Sequence, residues 1–249
     1  MLDELGSGKG LGSGRGVGRS TTWRSLAGWI ACLALLVAAD SSSGAELDRR
    51  LRIGVGDVQL TDVIEVQVLD REVIAYDVEG SGRRALRLRR FEDVIWTGSK
   101  GRIGVVLTTR RALAITPGAA AWTSIDFQLR ERLPDSADLG ERLALVHTDR
   151  RLLGFAVGTR AWSIESISPR EQAIASDVGE GTAIVVTSRR VLGIGAAGAA
   201  GFFAAPLRIH EKIEGLSARP NLATVTTSQR VLVFRSPSGS WTFTTRPLR

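Results

Sequence analysis

Thr108-Thr109-Arg110-Arg111-Ala112-Leu113-Ala114-Ile115 is the first of four clear statements of one phrase. It returns as Thr148-Asp149-Arg150-Arg151-Leu152-Leu153-Gly154-Phe155 and as Thr187-Ser188-Arg189-Arg190-Val191-Leu192-Gly193-Ile194. The last is Thr227-Ser228-Gln229-Arg230-Val231-Leu232-Val233-Phe234, and the period is 39 to 40 residues. Each polar tetrad precedes an apolar run. Seven or eight residues beyond that run stands an aromatic: Trp122, Trp162, Phe202 and Trp241. Nine residues beyond the first three aromatics comes a glutamate, at Glu131, Glu171 and Glu211. A fainter copy precedes these, with Leu69-Asp70-Arg71-Glu72 in place of the tetrad and Val73-Ile74-Ala75-Tyr76 as its run. Glu92, sixteen residues before Thr108, takes the place of the repeated glutamate.

A period of this size built only from short period-2 strands is the pattern of a propeller blade. In the third copy the expected strands are Leu143 to His147, Arg151 to Phe155, Trp162 to Ile167 and Glu171 to Ala175, with a tight turn at Asp149-Arg150. The five copies predict an all-β, five-bladed β-propeller of ~40-residue, four-stranded repeats. The last copy stops at Arg249, where the others continue into a glutamate-containing strand. Arg50-Leu51-Arg52-Ile53-Gly54-Val55 precedes the first hairpin, and Ile53 lies sixteen residues before Leu69. This segment is expected to pair with the C-terminal blade and close a monomeric ring, removing an open edge.

Residues 1–45 lie outside the repeat. A Gly/Ser-rich basic stretch leads into Trp29 to Ala39, an apolar run of eleven residues. That is short for a membrane span, which needs about twenty. It suits the hydrophobic stretch of a secretory signal, with a cleavage site after Ser43-Gly44-Ala45, or an N-terminal membrane anchor. Residues 46–249 then form the propeller, with the periplasm or the extracellular space as the expected location, or retention by the apolar segment. The only cysteine, Cys32, lies in that segment, so the rest of the chain has no disulfide or thiolate chemistry.

The chain carries 33 Lys plus Arg against 26 Asp plus Glu, a net charge of +7. Beyond residue 45 the only lysines are Lys100 and Lys212. Arginine can grip carboxylates and phosphates with two parallel hydrogen bonds. The charge is spread over every repeat, without the dense basic run interleaved with aromatics that a nucleic-acid groove shows, so nucleic acid is not an expected partner. An envelope protein or an anionic glycan is, with peripheral or no membrane contact after signal cleavage.

Repeated Arg111, Arg151, Arg190 and Arg230 are expected to pair with Glu92, Glu131, Glu171 and Glu211. Arg110, Arg150 and Arg189, one step earlier, fall in the turns and are the better candidates for an exposed binding surface. Trp122, Trp162 and Trp241 fit the wedge between blades, where large rings stabilise by burial, with sugar-stacking platforms as the competing role. Four residues beyond each aromatic the side chain changes class, through Asp126, Ser166, Pro206 and Thr245, which argues against an identical ligand site in every blade.

Catalytic groups are scarce. His147 and His210 are the only histidines, and no His-Glu-x-x-His, Gly-x-Ser-x-Gly or phosphate-loop motif occurs beyond the leader. No cofactor and no metal site is expected. The function expected is therefore a non-catalytic exported scaffold for protein-protein interaction in the cell envelope. A carbohydrate-binding, lectin-like propeller is the alternative. A glycoside hydrolase using two of the aspartates is a third reading.

Overall fold

The computed structural model describes residues 62–80 and 82–246. They form five antiparallel sheets and no helix. The first joins β1 (Ile64–Leu69), β2 (Glu72–Asp77) and β3 (Arg84–Arg87). The second joins β4 (Val94–Lys100), β5 (Ile103–Thr108), β6 (Arg111–Ile115) and β7 (Thr123–Asp126). The third has β8 (Asp138–Leu139), β9 (Leu143–His147), β10 (Arg151–Ala156) and β11 (Ala161–Ser166). The fourth has β12 (Ala173–Val178), β13 (Thr182–Thr187), β14 (Arg190–Gly195) and β15 (Phe203–Pro206). The fifth has β16 (Ile213–Ala218), β17 (Leu222–Thr227), β18 (Arg230–Arg235) and β19 (Ser240–Thr245). Strands follow one another across each sheet in chain order. The result is an all-β array of propeller-like blades.

The polar tetrad makes the central hairpin turn of every complete sheet. Thr108 Oγ1 accepts hydrogen bonds from the backbone N–H of Arg110 and Arg111 at 3.2 and 2.9 Å and lies 2.9 Å from the Arg111 carbonyl oxygen. The same three contacts recur around Thr148, Thr187 and Thr227. None of the loop residues in these four turns has a positive φ, so the turn is not the Asn-Gly type of a common two-residue hairpin, and the threonine hydroxyl instead caps the loop N–H groups.

The two middle strands of each inner sheet are buried on both faces, and the apolar layers lie between sheets. Ile103, Val105 and Leu107 of β5 meet Val146, Leu153 and Phe155 of the third sheet. Val106 and Leu113 point the other way, to Val66 and Val73 of the first. Period-2 alternation thus feeds two interfaces at once. Leu145 and Leu152 pack with Val185 and Leu192, and Ile184 and Val191 pack with Val225 and Phe234.

The blade boundaries differ from those expected. The strand after each repeated glutamate does not finish its own blade. Ala173–Val178 pairs with β13 and opens the fourth sheet, and Glu171 itself lies in the connection between sheets. The C-terminal sheet therefore has four strands without help from another segment. The sheet with three described strands is the first, whose β1 to β3 correspond to the second to fourth strands of the others. The expected closing strand at Arg50 to Val55, and the apolar run from Trp29 to Ala39, lie outside the described residues.

Candidate functional site

A meander of this kind places its loops at two ends. The hairpin turns between second and third strands share one end with the sheet-to-sheet connections; the remaining loops occupy the other.

At the hairpin-turn end, the expected Arg–Glu pairs are made. Arg111 donates from Nε to Glu92 Oε1 at 2.8 Å and from Nη2 to Oε2 at 3.1 Å. Arg151 grips Glu131 at 3.0 and 2.5 Å, Arg190 grips Glu171 at 2.8 and 3.3 Å, and Arg230 grips Glu211 at 2.8 and 3.1 Å. The threonine hydroxyl of each tetrad donates to the same glutamate, at 2.5 to 2.8 Å. Burial alone would push these carboxyls up. Hydrogen bonds from the arginine, the threonine and a backbone N–H, with the arginine charge, outweigh it and hold all four below the ordinary glutamate value.

These triads join neighbouring sheets. Each glutamate sits on the incoming connection and each arginine on the third strand of the sheet that follows. Nη2 of Arg151, Arg190 and Arg230 also reaches the carbonyl of Asp126, Ser166 and Pro206, the last residue of the preceding sheet, at 3.2, 2.9 and 2.6 Å. The side chain at that position can vary freely because the backbone is what is held. In the first sheet Leu69 stands for the threonine and Glu72 for the arginine, and the residue at the glutamate spacing, Ile53, lies outside the described residues.

The glutamate also shapes the connection in which it lies. In Arg89-Arg90-Phe91-Glu92 the Glu92 N–H donates to the Arg89 carbonyl at 3.2 Å, and the carboxylate accepts from the Arg89 N–H at 2.6 Å. The same closed turn forms at Gln128–Glu131 and Arg208–Glu211. Phe91, Arg130 and His210, just before each glutamate, have φ of 59, 64 and 61°. A left-handed conformation is uncommon in residues other than glycine and persists where its surroundings hold it. The turn tips are apolar and outward-facing, with Phe91 72%, Leu129 88% and Ile209 83% exposed.

Arg110, Arg150 and Arg189 lie at this end, and all three are exposed, as are Arg71, Arg90, Arg130, Arg132, Arg170, Arg208 and Lys212. The acidic residues exposed in the same turns and connections are Asp70, Asp93, Asp135 and Asp149. Between hairpin turn and connection run open grooves. One, of about 630 Å³, is lined by Arg189, Leu207, Arg208, Ile209, Lys212 and Ile213 among others. Another, of about 480 Å³, has Arg110, Phe127, Leu129, Arg130 and Leu133 in its lining.

Trp122, Trp162 and Trp241 are not with these arginines. They stand at the starts of the fourth strands, toward the opposite end, half-buried. Their indole N–H groups donate to carbonyls of the preceding sheet: Arg84 at 3.1 Å, Thr123 at 3.4 Å and Phe203 at 2.9 Å. The rings of Trp162 and Trp241 pack on Phe155 and Phe234 at 5.3 and 5.1 Å between centroids. Phe202 packs into the layer between third and fourth sheets. At the opposite end Val78, Glu79, Arg160, Glu180 and Arg219 are exposed, and the loops are tied to one another through the backbone. Val63, Arg102 and Arg142 donate N–H bonds to carbonyls of Gly101, Glu141 and Glu180 at 2.8, 2.7 and 2.7 Å, each crossing a sheet junction.

His147 is mostly buried, 3.7 Å from the Asp138 carboxylate, with no hydrogen-bond partner for Nε2. Burial pushes its pKa below 6.5 despite the opposing pull of Asp138. His210 is an exposed turn residue. Among the described residues no group of three or more His, Cys, Asp or Glu could hold a metal ion. The apolar turn tips escape a reading of the sequence because Phe91 and Arg130 occupy one repeat position and Arg90 and Leu129 another. Their signal is a basic–apolar pair directly before each of those glutamates.

No protein-family model matches the chain, and no curated protein matches it. Among solved structures it is similar to Prp20p of Saccharomyces cerevisiae, at 10% identity and a TM-score of 0.37, over 70% of this chain and 56% of that one. It is similar to Kluyveromyces lactis Hsv2 at 10% identity and 0.35, over 75% and 60%. A third is PorZ, described as a surface component of the type-IX secretion system of Porphyromonas gingivalis, at 12% and 0.33, over 80% and 28%. The chain spans less than two thirds of each of these proteins. At such identity and TM-score they assign neither ligand nor activity.

Proposed function

We propose that this chain is a non-catalytic, exported scaffold, built as a closed ring, that binds a protein partner in the cell envelope through its hairpin-turn end. The observation that carries the reading is the inequality of the two ends. One has its loops tied together by backbone hydrogen bonds and indole contacts, and its exposed arginines, Arg160 and Arg219, share it with exposed Glu79 and Glu180. The other displays Arg110, Arg150, Arg189 and further cations around apolar turn tips, on turns that the Thr–Arg–Glu triads hold in place. Exposed apolar groups ringed by arginine suit a protein interface. The repeated acidic and basic groups best placed for chemistry are engaged with one another. The apolar run at Trp29 to Ala39 and the small residues before Glu46 support export.

The test is in-cell cross-linking of tagged full-length protein, affinity capture and mass spectrometry, with envelope fractionation. The wild type and the R110E/R150E/R189E variant are compared. The expected result is one protein recovered reproducibly from the envelope fraction and lost from the variant. Recovery unchanged by the triple reversal would overturn the reading.

A further inference from the structure

The groove between the fourth and fifth sheets has a specific chemistry. On one side stands the hairpin turn carrying Arg189, on the other the connection from Leu207 to Lys212. Its apolar lining is Ile174, Leu207, Ile209 and Ile213, and its cations are Arg189, Arg208 and Lys212. The one carboxylate in the lining, Glu211, is already held by Arg230, Thr227 and the Arg208 N–H. Resting on the assignment of the hairpin-turn end as the binding face, we infer that this groove binds an extended acidic segment of the partner protein in which carboxylates alternate with aliphatic side chains.

Alternation is the natural match. An extended strand sends successive side chains to opposite sides, so one set can reach Leu207 and Ile213 while the other meets the guanidinium groups. Arginine suits such carboxylates because it grips them with two hydrogen bonds. The site is pre-organised: His210 sits at a φ of 61° and the Glu211 carboxylate ties the turn to the Arg208 N–H at 2.7 Å. Ile209 is thereby presented, 83% exposed, without further ordering on binding.

The groove between second and third sheets repeats the design with Arg110, Arg130 and Leu129. There Arg89 is already paired with Asp126 at 3.1 Å, so it forms the weaker of two sites. A flat bilayer would touch the tip of Ile209 but not the half-buried Leu207 and Ile213. No Phe, Tyr or Trp lines the fourth–fifth groove to stack on a nucleobase.

Fluorescence anisotropy on the full-length chain tests this, with a short labelled peptide alternating Asp with Leu and its Lys-for-Asp counterpart. The acidic peptide is expected to saturate, with affinity falling as salt rises, and the basic one not to bind. R189E/R208E is expected to weaken binding by about tenfold or more, I209S to weaken it, and R219E at the opposite end to leave it unchanged, with melting temperatures confirming that each variant folds. Absence of binding, or indifference to R189E/R208E, would overturn the inference. So would phosphatidylglycerol vesicles that capture the chain and lose it on the same reversal, which would make the face a membrane surface. If the peptide fails while partner capture still requires Arg110, Arg150 and Arg189, only the partner chemistry falls. If capture ignores those arginines too, the functional reading falls with it.

Discussion

Truncating Glu131 to alanine tests whether the repeated triads join the sheets. Its carboxylate accepts from Thr148 Oγ1 at 2.5 Å, Arg151 Nε at 3.0 Å, Arg151 Nη2 at 2.5 Å and the Gln128 N–H at 2.6 Å. The Glu131 side chain is 0% exposed and that of Arg151 7%. E131A leaves a buried guanidinium with only the Asp126 carbonyl, at 3.2 Å. Removing one member of a buried pair costs about 3–5 kcal/mol, a large part of the roughly 5–15 kcal/mol by which a domain is stable. For a domain of this size each kcal/mol moves Tm by about 2–4 °C, so the expected fall is on the order of 6–20 °C. R151M should cost a similar amount. The E131M/R151M double variant should lose less than the sum of E131M and R151M, by about 1–3 kcal/mol of coupling, because no charge is then stranded. The comparison is E72A, which breaks the exposed Arg83–Glu72 pair and should cost about 0–1 kcal/mol. Thermal and urea melts read all of these. An E131A loss no larger than that of E72A, or a cycle without coupling, would refute the reasoning.

The four triad glutamates have folded pKa values below their unfolded ones, so their contribution is present above the ordinary value of 4.5 and lost as pH falls through the folded values. Tm measured against pH should drop below that value, and a Tm unchanged through the acid range would count against the pairing. His147 is also depressed, and burial is the cause, so protonation opposes the fold as pH falls below 6.5. H147V should remove that part of the dependence, raising Tm at pH 5 relative to wild type more than at pH 7.5 (differential scanning fluorimetry reads the difference). A Cβ at Gly193 would lie 2.7 Å from the Phe234 ring and one at Gly179 2.7 Å from the Ala218 carbonyl oxygen, whereas at Gly215 the nearest contact is 4.0 Å. G193A and G179A should each destabilise by about 1–3 kcal/mol in urea melts, and G215A should not.

The repeat period and the Arg–Glu pairs were legible because they depend on identical residues at fixed spacing. Five sheets follow from the period, and a bidentate pair follows from arginine and glutamate recurring in step. The blade boundary was not legible. The gap between Ser166 and Ala173 carries no mark that distinguishes it from a hairpin, and both strands beside it are equally patterned. Only the pairing of Ala173–Val178 with β13 shows that the chain has passed to the next sheet. The separation of the arginine and tryptophan candidates follows from the same geometry: Arg150 and Trp162 lie at opposite ends of the hairpin that joins them. The exposed tips were hidden because their shared property is exposure, which Phe91, Leu129 and Ile209 do not announce by type.

The central claim, that one end of the sheets is the binding face, is tested most directly by site-specific photo-cross-linking in cells. A photoreactive residue placed at position 189 or 110 should capture the partner, and one at position 219 or 160, at the other end, should not. Capture from 219 or 160 with none from 189 or 110 would contradict the account.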